Sequence, residues 1–168
     1  MSWSLSPSAS VSPSVSASWS ISPSASASAS PSAGYQLYSR GKYADIPGDD
    51  NDLETMYSAG DVAKVASKDD DRVPQTGLQQ YMIHEFKDFV GAYTSCTLEC
   101  ELQTTELPSS APVNLDIYNH TLSQWDNVKS DNTSPIDTDF ILTTNVPDLT
   151  AYKDGSNIIS CRVWQQAI

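Results

Sequence analysis

The sequence predicts an all-β fold, a two-sheet antiparallel β-sandwich of jelly-roll type with about seven or eight strands. Three observations predict it. Runs rich in Thr, Val, Ile and Tyr after residue 35 are short, and clusters of Asp, Asn, Gly, Ser and Pro divide them. The clearest runs alternate apolar and polar residues, which buries one face of a strand and wets the other. Almost no stretch carries a helical period, so two packed sheets are the natural way to cover the inner faces.

Before these strands lies a segment of another kind. Serine occupies every even position from Ser2 to Ser32, and the odd positions carry Pro, Ala, Val, Ile, Leu and Trp. Prolines at 7, 13, 23 and 31 forbid a continuous helix and remove backbone donors. Ser, Ala and Pro bury too little to offset chain entropy. The expectation is a disordered or extended low-complexity tail over residues 1–34, acting as a spacer, with the sandwich domain over 35–168. A hydroxyl-rich strip for O-glycosylation and a self-associating strand built around Trp19 and Ile21 are the other readings of the repeat.

Taken in order, the strands begin with Tyr35–Ser39 and Leu53–Tyr57. Ser58-Ala59-Gly60-Asp61 has the pattern of a capping box and predicts one helical turn. Gln80–Lys87 is the next strand. In Thr94–Gln103, Cys96, Leu98, Cys100 and Leu102 face one way, with Thr97, Glu99 and Glu101 opposite. In Val113–Asn119, Val113, Leu115 and Ile117 point inward while Asn114 and Asp116 face water. A polar turn of about five residues returns the chain through Gln124–Ser130, a β-hairpin. Thr138–Thr144 and Asn157–Gln165 complete the set; in the last, Ile159, Cys161 and Val163 share the inner face.

Composition narrows the function. The chain has 9 Lys and Arg against 21 Asp and Glu, a formal charge of −12, and residues 1–39 hold none of these. The acidic body repels phosphate backbones, which disfavours nucleic acid. No apolar run is long enough for a spanning helix, which disfavours membrane insertion. The tail has no basic n-region or unbroken apolar stretch of a signal peptide, so it names no export route. Three cysteines, Cys96, Cys100 and Cys161, do not make a fully paired framework within one chain and read as small buried side chains; a bond from Cys161 to one of the others is the alternative.

Two groups of side chains point to ligands. Gly48-Asp49-Asp50-Asn51-Asp52-Leu53-Glu54 concentrates oxygen ligands, which makes Asp49, Asp50, Asp52 and Glu54 the candidates for a structural Ca2+. Tyr118, Trp125, Tyr152 and Trp164 offer flat faces of the kind that stack on sugar rings. Both groups have simpler alternatives, a solvated acidic loop and ordinary core packing. No catalytic motif joins His84 or His120 to a nucleophile. Asn119-His120-Thr121 and Asn132-Thr133-Ser134 match the N-glycosylation sequon, which carries meaning only in a secreted eukaryotic setting.

From Gln80 to Trp164 the order of features resembles the galactose-binding-like jelly-roll domains. The residues that carry the resemblance are Ile83-His84-Glu85-Phe86-Lys87, Leu115-Asp116-Ile117-Tyr118-Asn119 with Trp125, Tyr152-Lys153-Asp154-Gly155, and Cys161-Arg162-Val163-Trp164. With its tail, the chain also resembles phage or uncultured-bacterial surface and structural proteins. The resemblance implies sugar binding and a structural calcium ion. Together these readings predict a non-catalytic structural or adhesion protein, extracellular, cell-surface or virion-associated, with a glycan or a surface or virion protein as partner. A carbohydrate-binding module is the second expectation, and a small hydrolase a distant third.

Overall fold

A computed structural model describes residues 14–22, 36–66 and 71–168. Among them are ten strands and one short helix, arranged as two antiparallel sheets. The four-stranded sheet has the order β4 (Val73–Thr76), β1 (Ser14–Ser22), β6 (Cys96–Thr104), β9 (Phe140–Val146). The six-stranded sheet runs β3 (Thr55–Met56), β2 (Gln36–Tyr43), β5 (Tyr81–Phe89), β10 (Ile158–Gln166), β7 (Val113–Asn119), β8 (Gln124–Asp131). The all-β sandwich that the sequence predicts is the fold observed.

Period-two patterning accounts for the core. Along β6, burial alternates without a break, with Cys96, Leu98, Cys100, Leu102 and Thr104 buried. They face Val113, Leu115 and Ile117 of β7 and Ile159, Cys161 and Val163 of β10 in one apolar cluster. Two polar side chains tie the sheets inside it. The Thr104 hydroxyl bonds to Gln165 Oε1, and Gln165 Nε2 donates to the Ala111 carbonyl at 2.8 Å. All three cysteines are free and buried, and burial pushes their thiols up.

The helix α1 (Ala59–Val65) has the predicted capping box: the Asp61 N–H donates to Ser58 Oγ, and the Ser58 N–H donates back to Asp61. It runs to seven residues rather than one turn because Val65 docks into the core. Two strands lie outside the sequence reading. β4 contains Pro74, a residue suited to an edge, and β4 is the end of its sheet.

The other, β1, lies within the serine-alternating segment assigned to the tail. It pairs antiparallel with β6 from Val15↔Thr104 to Ser22↔Thr97, and with β4 from Ser14↔Thr76 to Ala17↔Val73. Its nine residues fill the interval between Pro13 and Pro23. That interval is the longest proline-free stretch of the repeat beginning at Ser2, and a central strand needs every N–H. The register sets Ala17, Trp19 and Ile21 opposite the inward-facing Leu102, Cys100 and Leu98.

Candidate functional site

The outer face of the six-stranded sheet was expected to be wet. Its middle is instead covered by residues 44–54, the connection between β2 and β3, which bonds to Ser39, Lys87, Trp125, Ser160 and Arg162 and forms a third layer there. Asp116, expected to face water, is 3 % exposed. Its side chain is the hub beneath this cover. Oδ2 accepts from Arg162 Nε at 2.9 Å and Trp164 Nε1 at 2.7 Å, and Oδ1 from Asn127 Nδ2 at 2.9 Å. Register causes the convergence, since Arg162 lies directly across from Asp116, and Asp116 across from Asn127.

Arg162 joins the sheet to its cover. Nη1 donates to the Pro47 carbonyl at 2.7 Å, and the guanidinium lies 4.2 Å from the centre of the Trp125 ring. Trp125 Nε1 in turn donates to the Asp49 carbonyl at 2.9 Å. Its ring meets Tyr118 edge-on at 5.1 Å, and Tyr118 meets His120 at 5.0 Å. Trp164 packs edge-on to Tyr81 at 5.7 Å. Three of the four aromatic candidates therefore gather in one place, where the indole N–H groups of Trp125 and Trp164 and the ring of Tyr118 are already engaged.

The four acidic candidates take separate partners. Asp49 Oδ1 accepts from the Asn51 N–H at 3.3 Å, and Asp50 Oδ2 from the Ser160 hydroxyl at 2.9 Å. Asp52 Oδ1 pairs with Lys87 Nζ at 2.7 Å, and Glu54 Oε2 accepts weakly from the Lys42 N–H at 3.5 Å. Among the described residues, no group of three or more His, Cys, Asp or Glu side chains converges to hold a metal ion. The loop's acids act as latches: Lys87, Ser160 and Ser39, which accepts from the Leu53 N–H at 3.0 Å, hold it on the sheet.

Beneath the cover, Glu85 is 1 % exposed and lies across from Arg162 and Ser39. Burial drives its carboxyl up to about 8, against the pull of Lys87 at 3.3 Å. Burial also lowers Lys87, but Asp52 and Glu85 outweigh that and leave it raised.

Tyr152, the fourth aromatic candidate, lies elsewhere. Strands β8 and β9 end their respective sheets, and between them the sandwich opens into a cleft of about 340 Å³. Val128, Thr144, Asn145, Val146, Pro147, Asp148 and Tyr152 line it. The Tyr152 hydroxyl donates to Asp126 Oδ2 at 3.2 Å. Asp126 is fixed by Asn119 Nδ2 and Gln124 Nε2, both at 2.9 Å, and these bonds hold its carboxyl below the usual range. The His120 N–H donates to the Ala151 carbonyl at 2.8 Å, which stitches the hairpin tip to the 148–154 loop. Asp148 accepts from the Thr150 N–H at 2.9 Å and is likewise lowered, so it presents a charged acceptor at the rim.

Thr144, Asn145 and Asp148 escaped the sequence reading. Thr144 reads there only as the end of a strand, and which two strands end the sheets is invisible without topology. The sequon asparagine Asn119 is 7 % exposed and bonded to Asp126, which removes it as an acceptor in the folded chain. No protein-family model, curated protein or solved structure matches this chain.

Proposed function

We propose that this protein is a non-catalytic recognition head of a structural or adhesion protein at a cell or virion surface, with the serine-rich chain outside β1 as its tether. The observation that supports this reading is the division between the two sites. The groups best suited to chemistry, Glu85, Asp116, Arg162 and Lys87, lie under residues 44–54 and pair with one another, Lys87 with Glu85 and Arg162 with Asp116. The open cleft offers a fixed aromatic ring, an amide, a hydroxyl and one ionised carboxylate, Asp148. Hydrolysis of a glycoside by the common route needs two facing carboxyls, whereas this inventory suits binding.

The second reading, a carbohydrate-binding module, is favoured by the same cleft. Tyr152 beside Thr144, Asn145 and Asp148 combines a stacking face with acceptors and donors for hydroxyls. In this reading Tyr152 is the ligand contact, and Tyr118, Trp125 and Trp164 are scaffold.

The test is a glycan array and a cell-surface binding assay with the full chain, run with Tyr152→Ala and Asp148→Asn beside the parent. Binding that falls at least about ten-fold in both variants, with the fold retained by circular dichroism, is the expected result. Turnover of any bound glycan would overturn the non-catalytic reading. Binding that survives both substitutions would remove the cleft as the site.

A further inference from the structure

We infer that β1 is an exchangeable strand, and that the slot between β4 and β6 accepts the Ser14–Ser22 segment of a second copy of this chain. Strands β4 and β6 each pair with β1 and not with one another. The slot is therefore two-sided, and main-chain register defines it: eight positions along β6 and four along β4. Any copy's β1 fills it with the same bonds. Left empty, it would expose the unpaired edge of β6, a ready template for a strand.

The connection to the rest of the chain is longer than the fold needs. Ser22 lies opposite Thr97, near the start of β6, and Gln36 lies opposite Asp88, near the end of β5. Residues 90–95 join β5 to β6, so Ser22 and Gln36 belong to the same end of the sandwich. The two sheets of a sandwich stand about 10 Å apart, and about four to six residues bridge such a gap. Residues 23–35 supply thirteen, with an extended reach of roughly 45–50 Å. That surplus carries β1 to a neighbour's slot.

The composition suits the same purpose. Two bodies that share the −12 charge repel each other, but the segment that crosses between them has no charge at all. Pro13 and Pro23 end the ladder on either side and make the nine residues a discrete unit. Exchange keeps every contact of the closed monomer and gives up only the advantage of a tethered strand. A tether of this length corresponds to an effective concentration on the order of 1 mM, so dilute chains close on themselves and crowded chains exchange.

The experiment uses the full chain carrying Ser18→Cys and Glu101→Cys, which are directly opposed in the register. Tagged and untagged copies are refolded together from ~10 μM to ~1 mM and oxidised, and the products are resolved without reductant. A chain with Glu101→Cys alone reports background from the native thiols. Expected are internal cross-links at low concentration and tagged–untagged dimers that increase at least about ten-fold across the series. Internal cross-links alone at every concentration, or no cross-link in a folded chain, would overturn the inference. Independently, the sedimentation mass of the unmodified chain after refolding should rise with concentration and stay monomeric in Ala17→Pro. A mass that stays monomeric in the parent, or a dimer that survives Ala17→Pro, would also overturn it.

Discussion

Asp116 shows how far one residue departs from what alternation says of it. Its position on the strand is as expected, on the face opposite Val113, Leu115 and Ile117. What alternation does not contain is the cover. A carboxylate with this burial is tolerable because Arg162, Trp164 and Asn127 supply three donors. Arg162→Met removes the charged one and also frees the Pro47 carbonyl. The expected loss is about 3–5 kcal/mol in urea unfolding, because an uncompensated buried charge remains. A loss below ~1 kcal/mol would mean that water reaches Asp116 and the cover is not closed. Glu85 gives a pH signature at the same scale. Its folded pKa of about 8 exceeds the ordinary carboxylate value, so the fold favours the protonated acid. That contribution is complete below the unfolded pKa of about 4.3 and is lost as pH rises through about 8. Asp88, raised to about 6 mainly by burial, acts in the same direction. Melting temperature should therefore fall between about pH 5 and 8. Glu85→Gln should flatten most of that fall, leaving the smaller part due to Asp88; parallel curves for the two proteins would refute the assignment.

Among the elements, legibility followed the source of each strand's stability. β6, β7 and β10 were readable because apolar and polar residues alternate strictly in their sequences, as Cys96–Leu102 and Ile159–Val163 show, although only β6 alternates in burial as well. β3, with two residues, and β4, with Pro74, owe their existence to neighbours and leave little local pattern. β1 is the instructive case. Its two-residue period was visible, but serine and alanine are poor core material, and composition argued for a spacer. The proline spacing held the missing information, since only 14–22 combines Val15, Trp19 and Ile21 with nine uninterrupted donors. Proline inserted at different points should separate strand from connection. Ala17→Pro removes a ladder donor at a position paired on both sides, with Val73 and Leu102, and should cost roughly 2–3 kcal/mol. Ala25→Pro, beyond the Pro23 boundary, should leave the chemical denaturation midpoint unchanged. Equal effects of the two substitutions would count against a docked β1.

At the scale of the whole molecule, the sandwich was legible and its third layer was not. Fold class follows from strand patterning, which is local. The closure of residues 44–54 over the sheet depends on pairings such as Pro47 with Arg162 and Asp50 with Ser160, more than a hundred residues apart in sequence. The same closure explains why an acidic loop that suggests a cation site serves as a latch. Lys87 supplies the positive charge that an ion would otherwise bring. Charge is the remaining global property, with 21 acidic against 9 basic side chains in a body whose tail has none. Surface repulsion of this kind is screened over a Debye length of about 10 Å at 0.1 M salt, while buried pairs such as Arg162–Asp116 are screened far less. Added salt should therefore relieve repulsion faster than it weakens the latches. Raising NaCl from ~10 to ~500 mM should lift the melting temperature by a few degrees, equivalent to about 1 kcal/mol. Substituting Lys87→Met should reduce the gain per unit of added salt little, because Lys87 is mostly buried, yet lower stability at every salt concentration. A melting temperature that falls with salt would show that exposed ion pairs, not the covered ones, hold the loop in place.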